Sequence, residues 1–219
     1  MKKINFWKHY PKTKRKKISV SRVTLSNQKK INLRKFGKNY FDGTRAEGYG
    51  GYHYHPKYFK KIVKKMKDYY QLTNKSKILD VGCAKGFMMY DFKKILPKAK
   101  IYGIDISKYC KQNAKKEVKR NIKIASCDQI PFDTNYFDLV ISISTIHNLS
   151  KRGVEKSLRE IKRVSKKDSF IRVNAYKTKI EKKKFEEWNI VAKTILSEKE
   201  WLNLFKKTNY NGDYDWFKV

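Results

Sequence analysis

Between residues 77 and 176 the sequence switches back and forth between two hydrophobic periods, and few folds accommodate that alternation. The runs "KILDVG" (77–82), "KIYGIDI" (100–106), "IKIASCD" (122–128), "FDLVISIS" (137–144) and "SFIRVNAY" (169–176) read as short buried strands. "GFMMYDFKKIL" (86–96) and "KYCKQNAKKEVK" (108–119) read as helices, as does 152–166, where Val154, Leu158, Ile161 and Val164 share one face. Strand–helix alternation implies βαβ units and a mostly parallel sheet with helices on both faces. Upstream, Pro56 can open a helix that carries Phe59, Ile62, Val63, Met66 and Tyr70 at helical spacing and ends near Leu72. Downstream, "SEKEWLNLFKKTNY" reads as a helix N-capped by Ser197, and "DYDWFKV" as a last strand, expected to run antiparallel. The expected architecture is a three-layer α/β/α sandwich.

In such sheets a ligand sits outside the carboxyl ends of the strands, at the switch point of strand order. "ILDVGCAKGF" (78–87) falls there. Glycine turns at strand ends usually cradle phosphate, but Gly82-Cys83-Ala84-Lys85-Gly86 fits neither the dinucleotide fingerprint nor the Walker pattern. Asp80 would repel a pyrophosphate and suits a cation such as the α-ammonium of an amino acid. Asp105, nineteen residues after Gly86, closes the second strand, where an acid accepts hydrogen bonds from ribose hydroxyls. Asp128, after the third strand, can take the exocyclic amine of adenine. An ammonium, a ribose diol and an adenine edge, with no phosphate site between them, describe S-adenosylmethionine.

Residues 77–173 resemble the class I S-adenosylmethionine-dependent methyltransferases, in particular the small-molecule, methyltransferase type 11-like subgroup. The family's D-x-G-x-G-x-G stands here as Asp80-Val81-Gly82-Cys83-Ala84-Lys85-Gly86. "CDQIPFDTNYFDLV", "ISISTIHNL" and "SLREIKRVSKKDSFIRV" match further segments in the family's order. The resemblance implies a Rossmann-like domain over residues 73–219. It also implies a cofactor site of Asp80, Gly82, Cys83, Ala84, Gly86, Asp105, Ile106, Asp128, Gln129 and Ser142, with no metal. Ala84 replaces the usual middle glycine.

The acceptor side is less legible. His147 follows the fourth strand and reads either as a base or acceptor orienter, or as a turn histidine bonded to backbone. In relatives the N-terminal segment lies over the cofactor as a lid. Tyr52 and Tyr54 in "GYGGYHYHP" (48–56) are candidates to close the pocket and meet the sulfonium through cation–π contact, or to pack at a helix start. Residues 42–72 are thus an expected aromatic lid and helix.

Residues 1–41 hold 14 Lys or Arg and no acid, and are expected to form an irregular basic arm. The net charge of +34 admits an adenine- and thymine-rich genome with a solvated basic surface, a polyanionic partner, or attraction of anionic small substrates. Lys outnumbers Arg 45 to 9, whereas a nucleic-acid reader would favour the planar guanidinium. The three cysteines, Cys83, Cys110 and Cys127, show no zinc or disulfide spacing. With no apolar run of membrane-spanning length, a cytoplasmic enzyme is expected. Its expected partner is a small-molecule methyl acceptor. The competing readings are an RNA methyltransferase that uses the arm, and a non-catalytic nucleic-acid-binding protein on the same fold.

Overall fold

The structure, a computed structural model, describes residues 1–8, 10–11, 25–44, 48–49 and 53–218 of the 219-residue chain. Strands β1 (Lys77–Val81), β2 (Lys100–Asp105), β3 (Ile122–Ile124), β4 (Phe137–Ile143) and β5 (Ser165–Tyr176) lie in the order β3-β2-β1-β4-β5. The short β6 (Leu196–Ser197) and β7 (Asp213–Phe217) both pair with β5. Order reverses between β1 and β4, so the switch point lies beyond Val81 and Ser142, which are in register.

Both faces of the sheet are covered, which is why its strands read as near-continuous apolar runs. On one face Leu79, Val140 and Ile171 pack against helix α6 (Lys151–Val164) and helix α8 (Glu198–Lys207), whose Trp201 and Phe205 are fully buried. On the other, Ile78, Ile141 and Phe170 pack against α3 (Pro56–Tyr69) and α4 (Phe87–Ile95) through Met66 and Phe92. Helix α8 starts where expected: Ser197 and Glu200 form a reciprocal capping box.

The last strand departs from expectation. It pairs with β5 in parallel, Phe170 to Asp213 through Asn174 to Phe217. The connection explains this. From β6, itself parallel to β5, the chain crosses back through α8, and such a helical crossover delivers the next strand in the same direction. The helix expected over 108–119 is also shorter, α5 (Lys108–Gln112). Beyond Asn113 the chain turns so that the Lys115 N–H reaches the Lys85 carbonyl at 3.1 Å, and the like charges of Lys111 and Lys115 at i,i+4 do not favour continuing the helix.

Parts of the basic arm expected to be irregular are ordered. Lys3 bridges to Tyr214 at the outer edge of β7, with Ile4 N–H donating to Tyr214 O at 2.8 Å and Tyr214 N–H to Lys2 O at 3.0 Å. Phe6 and Trp7 are buried against Phe170, Trp7 stacking on it at 6.1 Å between ring centroids. Helix α1 (Asn27–Leu33), capped by Ser26, packs Leu33 against Ile190 and Val191, near α7 (Lys179–Trp188). A single turn, α2 (Lys38–Phe41), follows. Four aromatic side chains scattered among lysines do this work: Phe6, Trp7, Phe36 and Phe41 bury apolar area against residues far away in sequence.

Candidate active site

Strand register sets the geometry of the crevice. Val81 lies level with Ile104 on β2 and Ser142 on β4, so one step further Gly82, Asp105 and Ile143 emerge side by side at the carboxyl end of the sheet. The Gly82 and Cys83 N–H groups both donate to Ile104 O, at 2.8 and 3.0 Å, bending the chain sharply over the end of β2. Gly82 has φ 82°, and a Cβ there would fall 2.1 Å from the Thr145 hydroxyl oxygen. Only glycine serves.

Ala84 and Gly86 are also left-handed, at φ 47° and 70°. The methyl-bearing Ala84 costs about 1–3 kcal/mol of backbone strain there. Its N–H is held at 2.8 Å by Asp105 Oδ2, while Asp105 Oδ1 accepts from the Ser107 N–H at 2.8 Å. One carboxylate thus ties the glycine loop to the turn after β2. Burial raises the Asp105 carboxyl above its ordinary range, opposed by those two backbone donors. Asp80, 5% exposed, is pushed further, to about 7, first by burial and then by the charge of Asp105. A carboxylate so placed gains most from a cation.

Asp80, Gly82, Cys83 and Ala84 line a cleft whose other walls are apolar: Phe41, Tyr49, Phe59, Phe87, Met88 and Ile143. Lys85 joins them, its ammonium bound by the Asp42 carboxylate, on whose Oδ2 it and the Tyr109 hydroxyl each lie at 2.6 Å. Burial raises the Asp42 carboxyl, but the Lys85 and Tyr109 hydrogen bonds and the Lys85 charge outweigh it, and the net shift is downward.

The remaining sequence-predicted residues divide. Ile106 follows Asp105 and is 51% exposed, an apolar surface beside the crevice. Asp128 accepts a hydrogen bond from the Ser126 hydroxyl, and Gln129 is exposed. Ser142 is buried at the end of β4, its Oγ without a partner among the described residues. His147 does not line the cleft. It is buried in the turn Ile146–Asn148, its Nδ1 accepting from the Asn174 N–H at 3.5 Å, and burial lowers its pKa to about 4. Tyr54 also stands apart from the cleft lining, its hydroxyl donating to Asp91 at 2.5 Å and its ring edge-on to Tyr90. Tyr52 lies outside the described residues.

The sequence reading missed the apolar walls and Asp42. One signal pointed to Asp42: it is the first acid of the chain, after 41 residues without one. Among the described residues no cluster of His, Cys, Asp and Glu could hold a metal, and no helix is long and apolar enough to cross a membrane.

Residues 79–173 match the family described as "Methyltransferase domain". Over 92 residues, 40% of the chain, the sequence is 37% identical to the malonyl-[acyl-carrier protein] O-methyltransferase of Legionella pneumophila and covers 32% of that protein. The chain spans about a third of the length of the curated relatives it matches. An S-adenosylmethionine-dependent methyltransferase from Aquifex aeolicus superposes with a TM-score of 0.50 at 24% identity, covering 67% of this chain and 78% of that one. The [4+2]-cyclase SpnF superposes with a TM-score of 0.53 at 16% identity, covering 68% and 56%. These two likenesses concern the fold alone.

Proposed function

We propose that the protein, whose residues 79–173 match the methyltransferase-domain family, is an S-adenosylmethionine-dependent enzyme of class I that methylates a small-molecule acceptor. The observation that carries this reading is the joint use of Asp105 by Ala84 and Ser107, which fixes a glycine loop around an acid-lined crevice. The residues suit the cofactor. Asp80 sits where the α-ammonium would need a counter-charge, and burial and the Asp105 charge raise its carboxyl. Asp105 spends one hydrogen bond per oxygen on backbone, leaving each with acceptor capacity for a ribose hydroxyl. Ile106 offers an apolar face and Asp128 an acceptor for the adenine end, and the Ser142 hydroxyl, without a partner among the described residues, lies at the same end of the sheet.

S-adenosylmethionine supplies a methyl group on a sulfonium, open to in-line attack. The chain's part is to orient both reactants and exclude water. Positioning of that kind can supply about 7–11 kcal/mol of barrier reduction. Phe41, Tyr49, Phe59 and Met88 make an apolar wall suited to it. No proton-transfer role is assigned to His147, which is neutral, buried and engaged with backbone.

Calorimetric titration with S-adenosylhomocysteine, with NADH in parallel, tests the reading. Tight binding of S-adenosylhomocysteine and none of NADH is expected. The reverse pattern overturns it, because nicotinamide dinucleotide sites also place an acid at the end of the second strand.

A further inference from the structure

Two carboxylates grip the same pair of elements. Asp105 binds the Ala84 N–H of the glycine loop and the Ser107 N–H of the turn after β2. Asp42 binds the Lys85 ammonium of that loop and the Tyr109 hydroxyl just past that turn. Asp42 belongs to the chain segment that crosses above the cleft. Phe41, the residue before it, lines the cleft, as does Tyr49, whose N–H bonds Tyr40 O at 2.7 Å and whose ring meets Phe41 edge-on. A further tie, from the Ser107 hydroxyl to Phe36 O at 2.6 Å, fastens the start of the same segment to the same turn.

We propose that Asp42 and Lys85 form a clasp that holds residues 36–44 and 48–49 closed over the cleft and couples that closure to retention of the cofactor. The inference rests on the S-adenosylmethionine reading above. Lys85 is 4% exposed and the Asp42 side chain 19%, so the pair is largely withdrawn from water. Removing either charge breaks a largely buried pair, which is unfavourable, and unties the cover from the glycine loop at Asp42. The loop that grips the cofactor is the loop that carries the clasp. A ligand that orders Ala84 and Asp105 also orders Lys85, and by linkage a closed clasp favours the bound ligand. Asp42 is a positioning residue in this scheme. It acts through Lys85, Phe41 and Tyr49 rather than on the reacting atoms.

The test uses the full chain as wild type, Asp42→Asn, Lys85→Met and the double variant. Stopped-flow displacement of S-adenosylhomocysteine gives the release rate, and amide hydrogen exchange without ligand reports on residues 36–44. Asp42→Asn and Lys85→Met are each expected to release the ligand at least tenfold faster and to exchange faster over 36–44. The double variant should be no worse than either single one, as for two halves of one interaction. A merely structural pair would lower the melting temperature and leave the release rate of the folded protein unchanged. If wild type binds and Asp42→Asn releases at the wild-type rate, the clasp is overturned and the cofactor reading stands. Wild type that does not bind S-adenosylhomocysteine overturns both. Should Asp42→Asn fail to fold, Tyr109→Phe takes its place, and an unchanged release rate with unchanged exchange again overturns the clasp.

Discussion

The glycine loop and the segment that crosses above it face each other across one cleft, yet they are stabilised in different ways. The loop, residues 82–86, is shaped locally. Three left-handed backbones and one carboxylate fix it, and its anchor Asp105 lies on the next strand of the same βαβ unit. The covering segment has almost no local code. Its turns are short, and its Phe36 and Tyr40 pack against Ile190 and Val191, more than 100 residues away. Recognition chemistry here is written in a few adjacent residues, whereas closure depends on tertiary packing. The two regions should therefore fail differently when altered.

The largest effect is expected at Trp7, in the amino-terminal stretch ahead of the cover, which buries its ring against Phe170 beneath the Arg172 guanidinium. Trp7→Ala should cost about 3–5 kcal/mol of stability by leaving a cavity, measured by denaturant unfolding. Affinity for S-adenosylhomocysteine, per folded molecule, should stay within a few-fold. If affinity falls in step with stability, the amino-terminal packing and the recognition loop are not separable.

Asp105→Ala should act on binding. Hydrogen bonds to a charged group contribute ~1.5–3 kcal/mol each, so loss of two should weaken S-adenosylhomocysteine binding by roughly 10²-fold or more by calorimetry. Stability should fall as well, by about 1–3 kcal/mol for each of the Ala84 and Ser107 N–H groups left without its partner, so affinity is compared per folded molecule. Asp105→Asn should lose less, because its amide oxygen still accepts one bond.

Next comes pH. Asp80 titrates near 7 in the free protein because burial and Asp105 disfavour its charge. Binding an ammonium requires the carboxylate, so affinity should rise with pH to a plateau above 7 and fall by up to about tenfold per unit below it. Stability of the free protein runs the other way. The folded pKa lies above the unfolded one, so the protonated form favours folding and stability declines as pH rises toward 7. Asp80→Asn should abolish both dependences and raise the melting temperature at pH 8 while weakening binding. A flat affinity profile for wild type would remove Asp80 from the ammonium site.

The smallest effect is expected at Tyr54, whose hydroxyl supports a buried Asp91 with one carboxylate oxygen otherwise unpartnered among the described residues. Tyr54→Phe should cost about 1–2 kcal/mol of stability and alter ligand affinity little. A tenfold loss of affinity would place Tyr54 functionally with the loop rather than with the cover.

These contrasts explain what could be read from the residues alone. Strands β1, β2, β4 and β5 announce themselves because burial on both faces forces continuous apolar runs, and Asp80 and Asp105 because an acid at a strand end has few other uses. The direction of β7 could not be read. "DYDWFKV" has the same period in either direction, and only the crossover through α8 decides. The clasp was equally hidden: Asp42 and Lys85 are 43 residues apart and meet only once α1 and α2 have docked. His147 illustrates the converse. Its place after β4 suggested chemistry, but its ring nitrogen is occupied by the backbone of β5.

The margins of the sheet have a further, colloidal consequence. On one side the outermost strand is three residues long, Ile122–Ile124, with Lys123 at its centre. On the other, the main-chain groups of β7 are partly covered by the stretch around Lys3, flanked by the exposed Lys2. Each margin offers little unpaired backbone and presents an ammonium to any strand approaching it. Copies of the protein repel one another along the line on which strand-by-strand growth would begin, so crowded solutions should resist fibril formation even where lowered salt screening or heat loosens the cover.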